Sequence, residues 1–165
     1  MKTERITHAF PPVFNNESRV LILGTMPSPK SRENGFYYSH PRNRFWPVMA
    51  AVFEEETPIT PAERTAFLLR NKIALWDVLK ECDIEGASDS SIKNAVPNDL
   101  SVILNSANIK AIFTTGTTAA KLYKKFIEPE AKIPAKALPS TSPANAKMHF
   151  EALLEEYCII KEYIK

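Results

Sequence analysis

Two short, continuous hydrophobic runs predict the centre of a parallel β-sheet. Residues 19–24 read RVLILG, and residues 109–115 read IKAIFTT with Gly116 directly after them. An apolar run without alternation is typical of a strand that is buried on both faces of a parallel sheet. Weaker runs predict a strand over residues 135–139 and, over residues 72–79, either a short strand or a turn of helix.

The segments between these runs predict helices. Residues 60–70 have Thr60 as a candidate N-cap, Pro61 at the first helical position and Glu63 at the third, and this order is typical of a capping box. Apolar residues at helical spacing predict the other helices over residues 43–54, 117–126 and 147–164, and Asn98 is expected to cap one that runs to about Asn105.

Strands that alternate with helices predict an α/β fold: a three-layer α/β/α sandwich with a mainly parallel central sheet of about four strands. Loops that follow the strands of such a sheet gather at one edge. Residues 25–40 are expected to form a long loop. Its residues 25–38, together with Gly116 and residues 140–146, are therefore expected to converge on a site. Residues 85–91 are expected to form a polar loop.

Amino-acid composition limits which cofactors and metals that site could hold. The chain has 165 residues, a length that suits one domain over 1–165. Its only cysteines are Cys82 and Cys158, and its three histidines lack metal-ligand spacing, so neither an iron–sulfur cluster nor a zinc site is expected. We expect no cofactor and no metal.

Charge and hydropathy limit which binding partners and which cellular location are expected for the protein. The net charge of +2 permits a nucleic-acid partner only if the positive charge is concentrated locally. The first ten residues lack the apolar region of a signal peptide, and no stretch approaches 18 apolar residues. A cytoplasmic monomer without a membrane partner is expected.

Common enzyme motifs are missing. The segment Gly24–Ser28 lacks the second glycine and the lysine of a phosphate-binding loop, and four glycines in all leave no dinucleotide fingerprint. The sequence also has no Gly-x-Ser-x-Gly elbow. The carboxylates cluster on the predicted helix faces rather than in the predicted site loops, and the histidines are scattered, so a metal-dependent hydrolase or one that uses paired carboxylates is poorly supported.

The segment Gly35–Trp46, GFYYSHPRNRFW, combines aromatic residues with a polar centre. Aromatic rings on a loop beside arginine and asparagine can stack on an extruded base and bind its edge. Phe45 and Trp46 also fit the apolar face of the following helix, so core packing is an alternative for both.

Three segments together resemble the uracil-DNA glycosylase superfamily in the form of its hypoxanthine-DNA (deoxyinosine) glycosylase branch. They are LILGTMPS at 21–28, GFYYSHPRNRFWPVM at 35–49 and LPSTSPAN at 138–145. The His-Pro-x-Asn-Arg-Phe-Trp string is also shared with the mismatch-specific uracil glycosylase branch. The resemblance covers most of the chain.

This sequence departs from many members of that superfamily in two places. It lacks the Asn or Asp of the first segment, where Thr25 and Met26 stand, and the His or Asn of the last, which reads Ser140-Thr141-Ser142. The resemblance therefore implies that Asn43 is the catalytic residue, holding the attacking water, binding the base edge, or both in turn. Asn43 is equally a candidate N-cap for the next helix.

The resemblance also implies the rest of the site. Tyr38 would stack on the base, and Ala144 stands where some members have a leucine wedge. The implied base-binding residues are Gly24, Thr25, Met26, Pro27, Tyr38 and His40. The implied DNA-binding residues are Ser28, Arg42, Ser140, Thr141, Ser142, Pro143, Ala144 and Asn145, and Lys30, Arg32, Arg44 and Lys147 are further candidate phosphate contacts.

The function expected from these residues is that of a monofunctional DNA glycosylase of base excision repair. It would remove hypoxanthine, uracil or both from double- or single-stranded DNA. Two alternatives remain at this point: a catalytically weak DNA-binding module of the same fold, and a small-molecule hydrolase or nucleotide-binding enzyme on an α/β sheet.

Overall fold

The computed structural model describes residues 3–8, 10–86 and 88–164. Its strands are β1 (Thr3–Thr7), β2 (Val20–Gly24), β3 (Ile73–Asp77), β4 (Leu79–Glu85), β5 (Ser88–Pro97), β6 (Ala111–Thr115) and β7 (Ala135–Leu138). Its helices are α1 (Pro29–Asn34), α2 (Phe45–Val52), α3 (Pro61–Arg70), α4 (Ser101–Leu104), α5 (Thr117–Phe126), α6 (Glu128–Ala131) and α7 (Phe150–Tyr157), and a 3₁₀ helix follows over Cys158–Tyr163.

A four-stranded parallel sheet with the order β3-β2-β6-β7 forms the centre of the fold. In its register Leu23 pairs with both Trp76 and Thr114, and Gly24 pairs with Asp77. Residues 20–23 of β2 have no exposed surface, as the continuous apolar run predicts. The predicted α/β fold with about four mainly parallel strands is confirmed.

Helices flank this sheet. α3 packs against β3, α5 packs against β6 and β7, and α2 packs against α7. The predicted capping box of α3 is present, because the Thr60 hydroxyl accepts the Glu63 N–H at 3.1 Å and the Glu63 carboxylate accepts the Thr60 N–H at 3.0 Å. The closing helix is shorter than expected, since residues 158–163 tighten into a 3₁₀ helix.

A second sheet, which the sequence did not predict, has the antiparallel order β1-β4-β5. The expected polar loop over residues 85–91 is wrong, because most of these residues belong to β4 or to β5. The pairing register between β4 and β5 shifts at three places. β5 is largely exposed, and its polar residues also suit a loop, whereas β4 buries Leu79, Cys82 and Ile84.

Two further expectations about local structure are wrong. The segment 25–40 is not entirely a loop, since α1 forms within it with the Ser28 hydroxyl accepting the Ser31 N–H. Asn98 does not cap α4, which begins after Leu100. The buried amide of Asn98 instead donates to the carbonyls of Asp77 at 2.9 Å and Leu79 at 3.1 Å, across the junction of β3 and β4.

Within the described ranges, no helix has both the length and the apolar character needed to cross a membrane.

Replacing Asn98 with alanine should lower the free energy of unfolding by about 2–3 kcal/mol, because two buried carbonyls would lose their donor. Urea denaturation monitored by circular dichroism measures the change. Asn105→Ala, at the exposed end of α4, is the matched control and should change stability by less than about 0.5 kcal/mol. Equal stability of Asn98→Ala and the wild type would contradict the role given to this amide.

Candidate active site

A cavity of about 180 Å³ lies at the carboxyl ends of β2, β3 and β6. This is the edge where the loops of a parallel sheet are expected to form a site. Of the residues named from the sequence, the structure brings ten to the cavity wall: Gly24, Thr25, Met26, Pro27, Ser28, Tyr38, Asn43, Ser140, Thr141 and Ser142.

The floor of the cavity is formed by the last residues of the strands. Gly24, Asp77 and Thr115 all line it, and Gly24 is paired with Asp77 in the sheet register. A Cβ atom on Gly24 would lie 2.6 Å from Asp77 Oδ1 and 2.8 Å from Tyr38 Oη. The cavity therefore depends on the missing side chain at position 24.

Tyr38 forms one wall. Its ring stacks on Phe45 with a centroid distance of 4.0 Å and an interplanar angle of 11°, and its hydroxyl lies 2.9 Å from Thr115 Oγ1. Its φ of 51° is in the left-handed region, which tyrosine rarely adopts and which the stack and the hydroxyl contact maintain. Burial and the nearby Asp77 carboxylate raise the pKa of Tyr38 well above its usual value, so its hydroxyl stays protonated.

The carboxamide of Asn43 is fixed through its oxygen. Asn43 Oδ1 accepts the Phe45 N–H at 2.9 Å and the Thr141 hydroxyl at 2.8 Å. In the described part of the chain, no acceptor binds the Asn43 amide nitrogen. Asn43 is therefore not the N-cap of α2, which is Arg44. Its oxygen instead accepts the N–H of Phe45, the first residue of the helix, while its NH₂ group remains available at the cavity wall.

Arg44 ties this segment to the loop after β7. Its guanidinium donates to the carbonyls of Met148, Ser142 and Asn145, and its N–H donates to the Thr141 carbonyl at 3.0 Å. Arg44 was predicted from the sequence to contact a phosphate, but its guanidinium already donates to three carbonyls within the protein.

The loop over residues 140–145 is held by its own side chains. The Ser140 hydroxyl accepts the Ser142 N–H at 3.1 Å, and the Ser142 hydroxyl accepts the Ala144 N–H at 3.2 Å. The Asn145 amide donates to the Ser140 carbonyl at 2.9 Å. Both serine hydroxyls keep their own proton for a further acceptor, whereas that of Thr141 is donated to Asn43.

Five of the implied catalytic, base-binding and DNA-binding residues do not line the cavity: His40, Arg42, Pro143, Ala144 and Asn145. The further candidate phosphate contacts Lys30, Arg32, Arg44 and Lys147 do not line it either. His40 lies in a turn, where its Nδ1 accepts the Arg42 N–H at 3.0 Å and its carbonyl accepts the Asn43 N–H at 2.9 Å. Arg42 and Ala144 are exposed. His40 therefore supports the turn that presents Asn43.

Sequence reasoning missed several cavity residues. Asp77 is the most informative, because its side chain is only 5% exposed and His8 Nε2 lies 2.8 Å from its Oδ2. The signal was present, since Asp77 is a charged residue at the end of an otherwise apolar run. Ile84, Gly86 and Asp89 reach the cavity from the unpredicted hairpin.

Among the residues with described positions, no group of three or more His, Cys, Asp or Glu side chains is arranged to hold a metal ion.

Two named relatives are similar to this chain. The hypoxanthine DNA glycosylase of Methanosarcina barkeri is 38% identical over 109 residues, 65% of this chain and 69% of that protein. The hypoxanthine DNA glycosylase of Methanosarcina acetivorans is 32% identical over 144 residues, 86% of this chain and 90% of that protein.

The fold is also similar to a solved structure. The solution NMR structure of a candidate uracil DNA glycosylase from Methanosarcina acetivorans superposes with a TM-score of 0.81 at 28% sequence identity, covering 96% of this chain and 98% of that one. The family model described as the uracil DNA glycosylase superfamily matches residues 11–159. The chain therefore belongs to the uracil DNA glycosylase superfamily.

Proposed function

We propose that this protein is a monofunctional DNA glycosylase that extrudes a deaminated base, hypoxanthine, uracil or both, and hydrolyses its N-glycosidic bond in base excision repair. The observation that carries the proposal is the Asn43 carboxamide, whose oxygen is bound within the protein while its NH₂ group lies at the cavity wall. The activity named for the two Methanosarcina relatives supports the same conclusion.

The reaction breaks the bond between C1′ of the sugar and the base nitrogen. The electron pair of that bond leaves with the base, and a water oxygen bonds to C1′ while the water proton passes to solvent. Positive charge develops on the sugar and negative charge on the base, as in glycoside hydrolysis. Donors aimed at the departing base therefore lower the barrier.

Asn43 is suited to that donor role. Its oxygen already accepts two hydrogen bonds, so it is poorly placed to take a proton from water. Its NH₂ group can donate to a carbonyl or ring nitrogen of the base, where negative charge accumulates. Of the roles that the sequence left open for Asn43, binding of the base edge is the one that this geometry favours.

Tyr38 supplies the stacking surface. Phe45 covers one face of its ring, so only the opposite face is available to an extruded base. Stacking of a base on an aromatic ring contributes roughly 1–3 kcal/mol, which offsets part of the few kcal/mol needed to unstack it from DNA.

We assign the binding of the sugar–phosphate backbone to the cavity rim, defined by Ser140, Ser142 and the exposed Arg42. Ser140 and Ser142 each retain a hydroxyl proton for a phosphate oxygen, and the exposed Arg42 adds a positive charge beside them. Pro143, Ala144 and Asn145 would occupy the space that the extruded base leaves. Because Ala144 is small, wedging by side-chain volume is weak, and stacking on Tyr38 must provide more of the stabilisation.

We propose one glycosylase domain over residues 1–165 that acts on DNA as a cytoplasmic monomer. The cavity accepts one base at a time, so double- and single-stranded DNA are both possible substrates.

Replacing Asn43 with aspartate should reduce hypoxanthine excision by about 10²- to 10³-fold, because the donor NH₂ becomes a carboxylate oxygen. The retained Oδ1 can still accept from Phe45 and Thr141, so the melting temperature should stay within a few degrees of the wild type. Single-turnover assays on a hypoxanthine oligonucleotide measure the loss.

Thr141→Val is the companion variant, since it removes only the hydroxyl that orients Asn43 Oδ1. A smaller loss, on the order of tenfold, is expected. Full activity of Asn43→Asp would refute the donor role. A wild-type protein that binds DNA but excises no deaminated base would indicate the DNA-binding module instead.

Gly24→Ala should abolish most excision, by about 100-fold or more, since the added methyl group meets Asp77 and Tyr38 and displaces the cavity floor. Binding to undamaged DNA should persist because the rim is unchanged, and gel-shift assays test this. Wild-type excision by Gly24→Ala would show that the base does not enter this cavity.

Arg42→Ala should reduce the slope of log Kd against log salt concentration by about one unit, because one phosphate contact is lost. Fluorescence anisotropy between about 50 and 200 mM salt provides the measurement. Arg70, an exposed arginine bound to Glu55, offers the matched control, and Arg70→Ala should leave the slope unchanged. Identical slopes for the wild type and Arg42→Ala would remove Arg42 from the phosphate contacts.

A further inference from the structure

One step of the proposed reaction has no protein group assigned to it. The attacking water loses a proton as its oxygen bonds to C1′, and a base held close to that water accelerates such a step. The Asn43 oxygen is occupied by two hydrogen bonds, and the side chains of Thr25 and Met26, directly after β2, carry no basic group. A base for the water therefore belongs elsewhere in the cavity.

Two carboxylates line the cavity, those of Asp77 and Asp89. The carboxylate of Asp77 is engaged, because His8 Nε2 lies 2.8 Å from its Oδ2. The side chain of Asp89, on β5, has no hydrogen-bond or ion-pair partner among the described residues. The carboxylate of Asp89 is thus available to a substrate or to a water molecule.

Asp89 lies at the mouth of the cavity. It lines the cavity and is nevertheless exposed, whereas the Asp77 side chain at the floor is only 5% exposed. An extruded base enters such a cavity ring first, so the sugar that carries the base stays at the mouth. The C1′ atom, where the water attacks, is thereby brought to the level of Asp89.

A carboxylate at this position opposes DNA binding. Phosphates approach the same mouth, where Ser140 and Ser142 have hydroxyl protons available, and like charges repel each other. A neutral residue in place of Asp89 would allow tighter binding. The charge of Asp89 is therefore explained by a contribution to the reaction rather than to the affinity for DNA.

The surroundings of Asp89 make its carboxylate a better base. Reduced solvation and, after it, the negative charge of Asp77 raise the pKa of Asp89 above its usual value. A raised pKa means that the ionised carboxylate takes up a proton more readily. General bases are most efficient when their pKa lies closer to the working pH than that of an ordinary aspartate.

We propose that Asp89 is the general base that takes a proton from the attacking water while the water oxygen bonds to C1′ of the extruded nucleotide. This inference rests on the proposed glycosylase function. One O–H bond of the water breaks, and its proton bonds to an Asp89 oxygen. The electron pair of the C1′–N bond leaves with the base, which then gains a proton from solvent. Asp89 releases its own proton to solvent and returns to the carboxylate.

This assignment divides the reaction between two elements. Asn43, before α2, donates to the departing base, and Asp89, on β5, accepts from the incoming water. The negative charge of Asp89 also faces the positive charge that develops on the sugar, which lowers the barrier further. The β4–β5 hairpin thus contributes a catalytic group to the cavity.

The first test separates the excision rate from the affinity for DNA. Single-turnover excision is measured on a hypoxanthine duplex with saturating enzyme, and Kd is measured on the same duplex without the lesion. Asp89→Asn and Asp89→Ala should lose about 10²- to 10³-fold in rate. Their Kd should equal that of the wild type or be lower, because a negative charge is removed. Asp89→Glu keeps a carboxylate and should retain more activity than Asp89→Asn.

The second test supplies the missing base from solution. Formate is a carboxylate small enough to enter the space that Asp89→Ala leaves. It should raise the excision rate of Asp89→Ala by at least about tenfold and leave the rate of the wild type unchanged. Sodium chloride at the same ionic strength is the reference, because salt by itself weakens DNA binding.

Asp83→Asn is the matched control for both tests. It removes a carboxylate of the same hairpin that is paired with Arg5 and does not line the cavity. Its excision rate should equal that of the wild type, with and without formate. Circular dichroism verifies that each variant is folded.

These outcomes separate the inference from the function beneath it. Excision at the wild-type rate by folded Asp89→Ala would overturn the role of Asp89 as the base. A loss of rate in the folded variant that formate does not restore would also overturn it, since the loss would then reflect a structural role. Failure of the wild type to excise hypoxanthine or uracil from any oligonucleotide would instead overturn the proposed function.

Discussion

The site depends on the absence of a side chain at Gly24. Parallel strands bring their carboxyl ends to one edge, and in this sheet that edge is crowded by Asp77 and Tyr38. A Cβ at position 24 would lie 2.6 Å from the first and 2.8 Å from the second. The open floor therefore results from a backbone position that is buried in the sheet and still has no Cβ.

The walls around that floor are coupled by hydrogen bonds. Asn43 and Arg44 both bind the loop after β7, the first through the Thr141 hydroxyl and the second through backbone carbonyls. Because the Asn43 oxygen also accepts the first N–H of α2, the amide is oriented from two sides. Such an arrangement holds a donor in place before any substrate arrives, which is the condition for electrostatic stabilisation.

Much of the fold and part of the site could be predicted from the sequence. Continuous apolar runs identified the sheet, and the resemblance of three segments led to Asn43 and Tyr38. Asp77 was missed although its charge stands out at the end of an apolar run, because that run by itself indicates only a buried strand and does not show that the strand ends at the cavity. The β4–β5 hairpin was missed since its polar residues suit a loop as well as an exposed strand, and Asn98 was misassigned because its amide binds distant carbonyls rather than a helix end.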